Sequence, residues 1–167
     1  MGNINYTHSA ADFSVCGTWR YTLTRAWDRK KPLVAFVGLN PSTADENKLD
    51  NTTTKCVKWA KRDGFGSYVM LNLFGLVSTL PGALKTAVDP VGPDNDWWIN
   101  ETFKLSSAVV FCWGTTLHNL TGPRIEAVRQ LADEAGLNPL CPGHTKAGFP
   151  KHPCRLANAT RLVLYKR

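Results

Sequence analysis

Leu33-Val34-Ala35-Phe36-Val37-Gly38-Leu39-Asn40-Pro41-Ser42-Thr43-Ala44-Asp45 is the stretch whose reading decides the fold. Its opening run, Leu33 to Val37, is wholly apolar. A continuous apolar run of that length predicts a strand covered on both faces. Gly38 then permits close backbone approach, and Pro41 forbids further ladder pairing. Open α/β sheets place their ligand sites where a buried strand ends in such a turn. On these residues alone an ordinary strand-to-helix connection is the simpler reading, so the flanking sequence has to separate the two.

Downstream, Asp50-Asn51-Thr52 offer caps for a helix over about 53–63, which Gly64 stops. Lys55, Lys58, Lys61 and Arg62 make one side of it basic, a solvated face or a phosphate-contacting one. Tyr68 to Phe74 reads as a second buried strand, interrupted by Asn72. A buried amide must be hydrogen-bonded, so Asn72 is either a satisfied structural residue or a ligand-reading one. A short helix near Pro81–Ala87 precedes the rigid Asp89-Pro90-Val91-Gly92-Pro93. Asp94 caps a helix over about 95–105, and Ser107 to Gly114 is a third buried strand. Thr121 to Ala135 has the 3.6-residue periodicity of an amphipathic helix, with Ile125, Val128, Leu131 and Ala135 on one face. Pro139-Leu140-Cys141 is a short strand, Pro142 to Pro153 a Gly/Pro-rich loop, and Arg161 to Tyr165 a last edge strand.

Upstream, Trp19 to Trp27 alternates, with Trp19, Tyr21, Leu23 and Arg25 on one side, as in a strand or hairpin arm. Arg20 and Arg25 are expected at the solvated surface, with contact to phosphate as the alternative, and residues 1–13 are expected to form a loose arm. Strands alternating with helices define an α/β fold: one three-layer α/β/α domain over residues 1–167 with a mostly parallel central sheet.

Composition narrows the function classes. Twenty Lys and Arg against 13 Asp and Glu give a net charge of +7, which favours an anionic partner such as nucleic acid. Five cysteines without C-x-x-C spacing argue against a disulfide framework, a zinc site or an iron–sulfur site. No metal or cofactor is expected. No apolar run approaches about 18 residues, and the polar N-terminus lacks a signal-peptide core. Gly2 and Asn3 match a myristoylation site only loosely and are set aside. A reducing cytoplasm is the expected compartment, without membrane attachment, and a monomer the expected state.

In such a sheet Asn40, Asn72, Trp113 and His152 all fall at or just beyond strand C-termini, and so at one edge. In that order they resemble the uracil-DNA glycosylase superfamily. Gly38-Leu39-Asn40-Pro41 resembles its water-activating motif, and Leu71-Asn72-Leu73 the strand with its base-reading asparagine. Val110 to Gly114 resembles its central strand ending in Trp-Gly, and His152-Pro153 its late His-Pro loop. Nearly the whole chain is also similar to a bacterial and phage family catalogued as a domain of unknown function. That similarity runs through Arg20-Tyr21 to Trp27, Leu39 to Asp45, Asn72-Leu73-Phe74, Asp89 to Asn95, Trp113-Gly114 and Gly148 to Pro153. Cys154 stands where that family commonly has leucine, and Phe149 separates Gly148 from Pro150.

The resemblance implies a glycosylase-like fold and hydrolysis of a nucleobase from DNA, leaving an abasic site. Asn40 is then the residue that holds the water, but an amide is a poor general base. Asp45 is the candidate base or sugar-cation stabiliser, with helix capping as its equal alternative. His152 would stabilise negative charge on the departing base. Leu39, Ser42, Asn72, Phe74 and Trp113 are the base-binding candidates, Phe74 and Trp113 being candidate stacking residues or simply core. In uracil-specific relatives a tyrosine follows the motif's proline and blocks a C5 substituent. Ser42 removes that wall, which points to C5-modified pyrimidines, including hypermodified phage bases. Lys146, Lys151, Arg155 and Leu156 are the DNA-binding candidates, the last two also as fillers of the gap in the stack. A basic exposed loop is their bland alternative. His118 and His144 match no motif and are expected at the surface. A reader of modified DNA without catalysis, and an N-glycosidase of free nucleosides or nucleotides, are the competing readings.

Overall fold

The computed structural model describes residues 6–42, 44–45, 47, 50–80, 82–115 and 118–166, with only the backbone of 118 and 119. Residues 1–5, Thr43, Pro81, the His118 side chain and Arg167 therefore lie outside the described residues. Seven strands form one sheet: β1 (His8–Phe13), β2 (Arg20–Ala26), β3 (Leu33–Gly38), β4 (Ser67–Asn72), β5 (Ala108–Phe111), β6 (Leu140–Cys141) and β7 (Val163–Leu164). The helices are α1 (Asn51–Arg62), α2 (Ala83–Thr86), α3 (Asn95–Leu105) and α4 (His118–Glu134), followed by a 3₁₀ turn at Pro153–Arg155.

The strand order is β1-β2-β4-β3-β5-β6-β7. β3, β4, β5 and β6 run parallel, whereas β1, β2 and β7 are antiparallel additions at the two edges. The fold is thus mixed α/β with a mixed sheet. The opening apolar run is its centre, because β3 pairs with β4 on one side and β5 on the other. Alternate residues of β3 supply two cores. Val34 and Phe36 pack with Cys56, Val57, Trp59 and Ala60 of α1. Ala35 and Val37 pack with Ile99 and Phe103 of α3 and with Ile125, Val128 and Ala132 of α4.

Three sequence expectations change. The loose arm is, from His8 onward, an edge strand on β2. Its side chains carry little apolar signal, and its attachment is main-chain pairing, which composition does not report. Arg20 and Arg25 are not on a solvated surface: they are 3% and 1% exposed. The reason is that other segments cover them: Arg20 and Arg25 donate to the carbonyls of Ala44 and Asp45, after β3, and the Tyr6 ring lies against Arg25. Finally, α4 begins at His118, about one turn before the expected start, and carries Pro123 within it.

The chain leaves β3 through α1 to β4, then crosses back past β3 to reach β5. A reversal of this kind opens a crevice outside the carboxyl ends of the parallel strands.

Candidate functional site

A cavity of about 310 Å³ lies at that crevice. Arg20, Leu39, Asn40, Ser42, Asp50, Asn72, Trp113 and His152 are among its lining residues, with Ser78 and Thr79 from the loop after β4. Each strand end delivers one part. β3 stops at Gly38 and releases Leu39 and Asn40, while β4 ends on Asn72, directly paired with Gly38. Past β5, Gly114 adopts a φ of +79° and donates its N–H to Pro150 O at 3.0 Å. A Cβ there would meet the His152 Cβ at 2.9 Å, so glycine lets the late loop close against β5 and brings His152 into the wall.

Asn40 is held by its amide nitrogen, which donates to Pro41 O at 3.0 Å, Ser78 O at 2.9 Å and Leu76 O at 3.4 Å. Carbonyl oxygens converge on that atom, so it has to be the donor, and the amide oxygen is the end left for the cavity. Asn72 is 3% exposed, and its amide nitrogen has no hydrogen-bond partner among the described residues. The same holds for the indole N–H of Trp113. Unsatisfied buried donors of this kind are few in folded proteins. The main chain around Asn72 is fixed by Asn95, whose amide nitrogen donates to Asn72 O at 3.2 Å, and by Arg124, whose Nε donates to Leu73 O at 2.6 Å.

His152 accepts the Cys154 N–H at Nδ1, 3.3 Å away. That bond favours the neutral tautomer with its proton on Nε2, a donor. Burial lowers the imidazole pKa below its ordinary value, and the Asp50 charge opposes that shift in part. The neutral ring is therefore the form favoured near pH 7.

Two charged groups in the wall were not among the sequence-derived site residues. Asp50 caps α1, its Oδ1 accepting from Thr53 N at 2.8 Å and Thr53 Oγ1 at 2.9 Å. It is the one carboxylate among the described lining residues. Its signal was available, since a helix following a parallel strand starts at the sheet's ligand edge. Arg20 donates through one terminal nitrogen to Ala44 O, and its buried Nε has no partner among the described residues. Burial lowers its pKa, and the charges of Tyr68 and Asp50 counter that. Sequence could place Arg20 here only through the antiparallel β2–β4 pairing, which brings the start of β2 to the end of β4.

The remaining candidates fall elsewhere. Asp45 is half-buried outside the lining, with Oδ1 accepting from Asn47 N at 2.8 Å and its carbonyl accepting from Arg25. It does not cap α1 either, because Asp50 does. Phe74 is core, 1% exposed, and packs with the α3 and α4 side. Lys146, Lys151 and Arg155 are exposed along the late loop. Leu156 is half-buried against the α1-side core, and its carbonyl accepts from Lys55 Nζ. His144 stacks on Tyr165 with ring centroids 5.6 Å apart, away from the cavity.

Fold and site together define a mixed α/β protein with a small-molecule-sized cavity of mixed polar and apolar wall at the carboxyl edge of its parallel strands. The chain belongs to the family described as "Protein of unknown function (DUF1643)", whose model matches residues 20–154. No curated protein and no solved structure matches the chain.

Proposed function

We propose that the protein is a DNA glycosylase of uracil-DNA glycosylase type. It hydrolyses the N-glycosidic bond of a flipped, C5-modified pyrimidine and leaves an abasic site. The observation that carries this reading is the meeting of Asn40, Asn72, Trp113 and His152, from four separate stretches of chain, on one cavity. Each brings a group the reaction requires. The Asn72 amide carries both a donor and an acceptor, the pair a pyrimidine edge calls for, and Asn72 lines the cavity. Trp113 forms part of the same wall and offers it an aromatic surface. The Asn40 amide oxygen orients a water. Neutral His152 donates from Nε2 to the base oxygen on which negative charge grows as the bond breaks.

In the step itself, water oxygen bonds to the anomeric carbon while the bond from that carbon to the base nitrogen breaks. The bonding pair leaves with the base, and water loses a proton. A sugar cation develops along the way, as in glycoside hydrolysis. Ser42 in the cavity wall is small, which suits a substituent on pyrimidine C5. The net charge of +7 and the exposed Lys146, Lys151 and Arg155 near His152 in sequence suit a nucleic acid partner. Hypermodified phage bases are the substrates this reading favours, with defence against such phages as the setting.

The test is incubation with duplexes containing uracil, 5-hydroxymethyl or glucosylated pyrimidines, with released bases identified by mass spectrometry. Release of a C5-modified base, lost in Asn40→Ala and His152→Ala, supports the proposal. Release of unmodified uracil alone removes the open-pocket part. A second reading, a non-catalytic reader of modified DNA, draws on Asn40, because an amide takes no proton from water. It predicts duplex binding by the wild type with no abasic product. Release from mononucleosides but not from duplexes would instead indicate a nucleosidase.

A further inference from the structure

The glycosylase reading leaves one role empty: a group that accepts the proton of the attacking water. Asn40 cannot fill it, and Asp45 lies outside the cavity lining. We infer that Asp50, the N-cap of α1, is the carboxylate that receives this proton and faces the sugar cation; the inference rests on the glycosylase reading.

Three observations carry it. Asp50 lines the same cavity as Asn40, Asn72 and His152. Its Oδ1 is tied to Thr53 N and Thr53 Oγ1, which fixes the side chain and leaves Oδ2 outside those contacts. It shares the wall with a buried cation, the Arg20 guanidinium. A carboxylate held by a helix cap through one oxygen is oriented before substrate arrives. In the reaction, Asp50 takes the proton that water loses as its oxygen bonds to the anomeric carbon. The proton then passes to bulk water or to the released base anion, and the carboxylate is regenerated. One water is consumed for each bond broken, and no other reactant is needed.

Asp50→Asn is the decisive variant, because asparagine caps a helix about as well as aspartate and removes only the charge. Base release from the best modified duplex is expected to fall about 10²–10⁴-fold in kcat, the range for loss of a general base, with duplex affinity and melting temperature near wild type. Asp50→Ser, which also keeps a cap, should fall equally and guards against a fold-specific failure of the first variant. As a check free of activity, the His152 imidazole titration followed by NMR should move to lower pH in Asp50→Asn, since the Asp50 charge holds it up. Wild-type release with Asp50→Asn within about threefold of it overturns the assignment alone. A loss confined to Asp45→Asn transfers the role to Asp45 and overturns it as well. Absence of release by the wild type from every duplex overturns the glycosylase reading and this inference with it.

Discussion

Gly38 and Asn72 stand opposite each other in the parallel β3–β4 ladder, and a methyl group on Gly38 would lie 2.8 Å from the Asn72 amide oxygen. The glycine is therefore the space in which the Asn72 side chain sits. The neighbouring strand end makes the cavity's amide possible, and the two residues form one feature.

Gly38→Ala is expected to separate stability from function. The crowded atom is the end of a side chain, so the amide can swing aside, and the loss should stay near the low end of the roughly 1–3 kcal/mol typical of overpacking. The swing re-aims Asn72, and base release should fall at least tenfold. Denaturant unfolding and the release assay, run on the same preparation, check both halves. A variant with full activity would show that Asn72 does not read the base.

Asn40→Asp is expected to disappoint as an attempt to improve the base. The Asn40 amide nitrogen donates to the carbonyls of Pro41, Leu76 and Ser78. A carboxylate has no proton for them and places negative charge among acceptors. Loss of such partly buried hydrogen bonds costs about 1–3 kcal/mol, so Asn40→Asp should be less stable than wild type by that order. Activity should fall with it. Thermal or urea unfolding measures the first, and single-turnover base release the second.

His152 makes stability depend on pH in a definite direction. Burial holds its folded-state pKa below the ordinary value, which is about 6.5 in the unfolded chain. Above the unfolded value both states are neutral and the group is silent. As pH falls below it, the unfolded chain takes up the proton first, so folding weakens until the folded pKa is passed. His152→Gln should therefore lose less stability than wild type between pH 7 and pH 5. Melting temperatures across that range test the sign, and a steeper loss in the variant would contradict it.

The late loop should govern salt dependence if duplex DNA is the partner. Lys146, Lys151 and Arg155 are exposed. Replacing any one that touches phosphate should weaken binding to all sequences alike and reduce the slope of log K against log salt by about 0.9. Fluorescence anisotropy at several salt concentrations reads this directly. An unchanged slope in the triple variant would place the duplex elsewhere.

Most of the architecture was legible because it follows from local patterning. The apolar runs at 33–38, 67–72 and 108–111 are strands, and the helix starting beside Asp50 follows its capping residue. The stations Asn40, Asn72, Trp113 and His152 were likewise placed at one edge by their positions after strands, and they line one cavity. What local pattern does not carry is pairing partner and direction. β1 has no strong apolar signal and is held through its backbone, so it read as an arm. β2 alternates like a half-exposed strand, yet the segment after β3 covers it, and Arg20 and Arg25 are buried against the Ala44 and Asp45 carbonyls.

The sequence by itself determined where the central strands lie along the chain, because apolar runs are properties of the chain alone, although β4 and β5 end at Asn72 and Phe111, before the expected Phe74 and Gly114. Only the tertiary structure decided which of the acidic and basic side chains share the cavity. Asp45 lies five residues after Asn40 but has its Oδ1 engaged by Asn47 and stands outside the lining, whereas Asp50 and Arg20 line the wall. The physical reason is that strand order and direction set which chain ends meet. Those depend on long-range hydrogen bonding and on burial of two separate cores, and neither leaves a local trace in sequence.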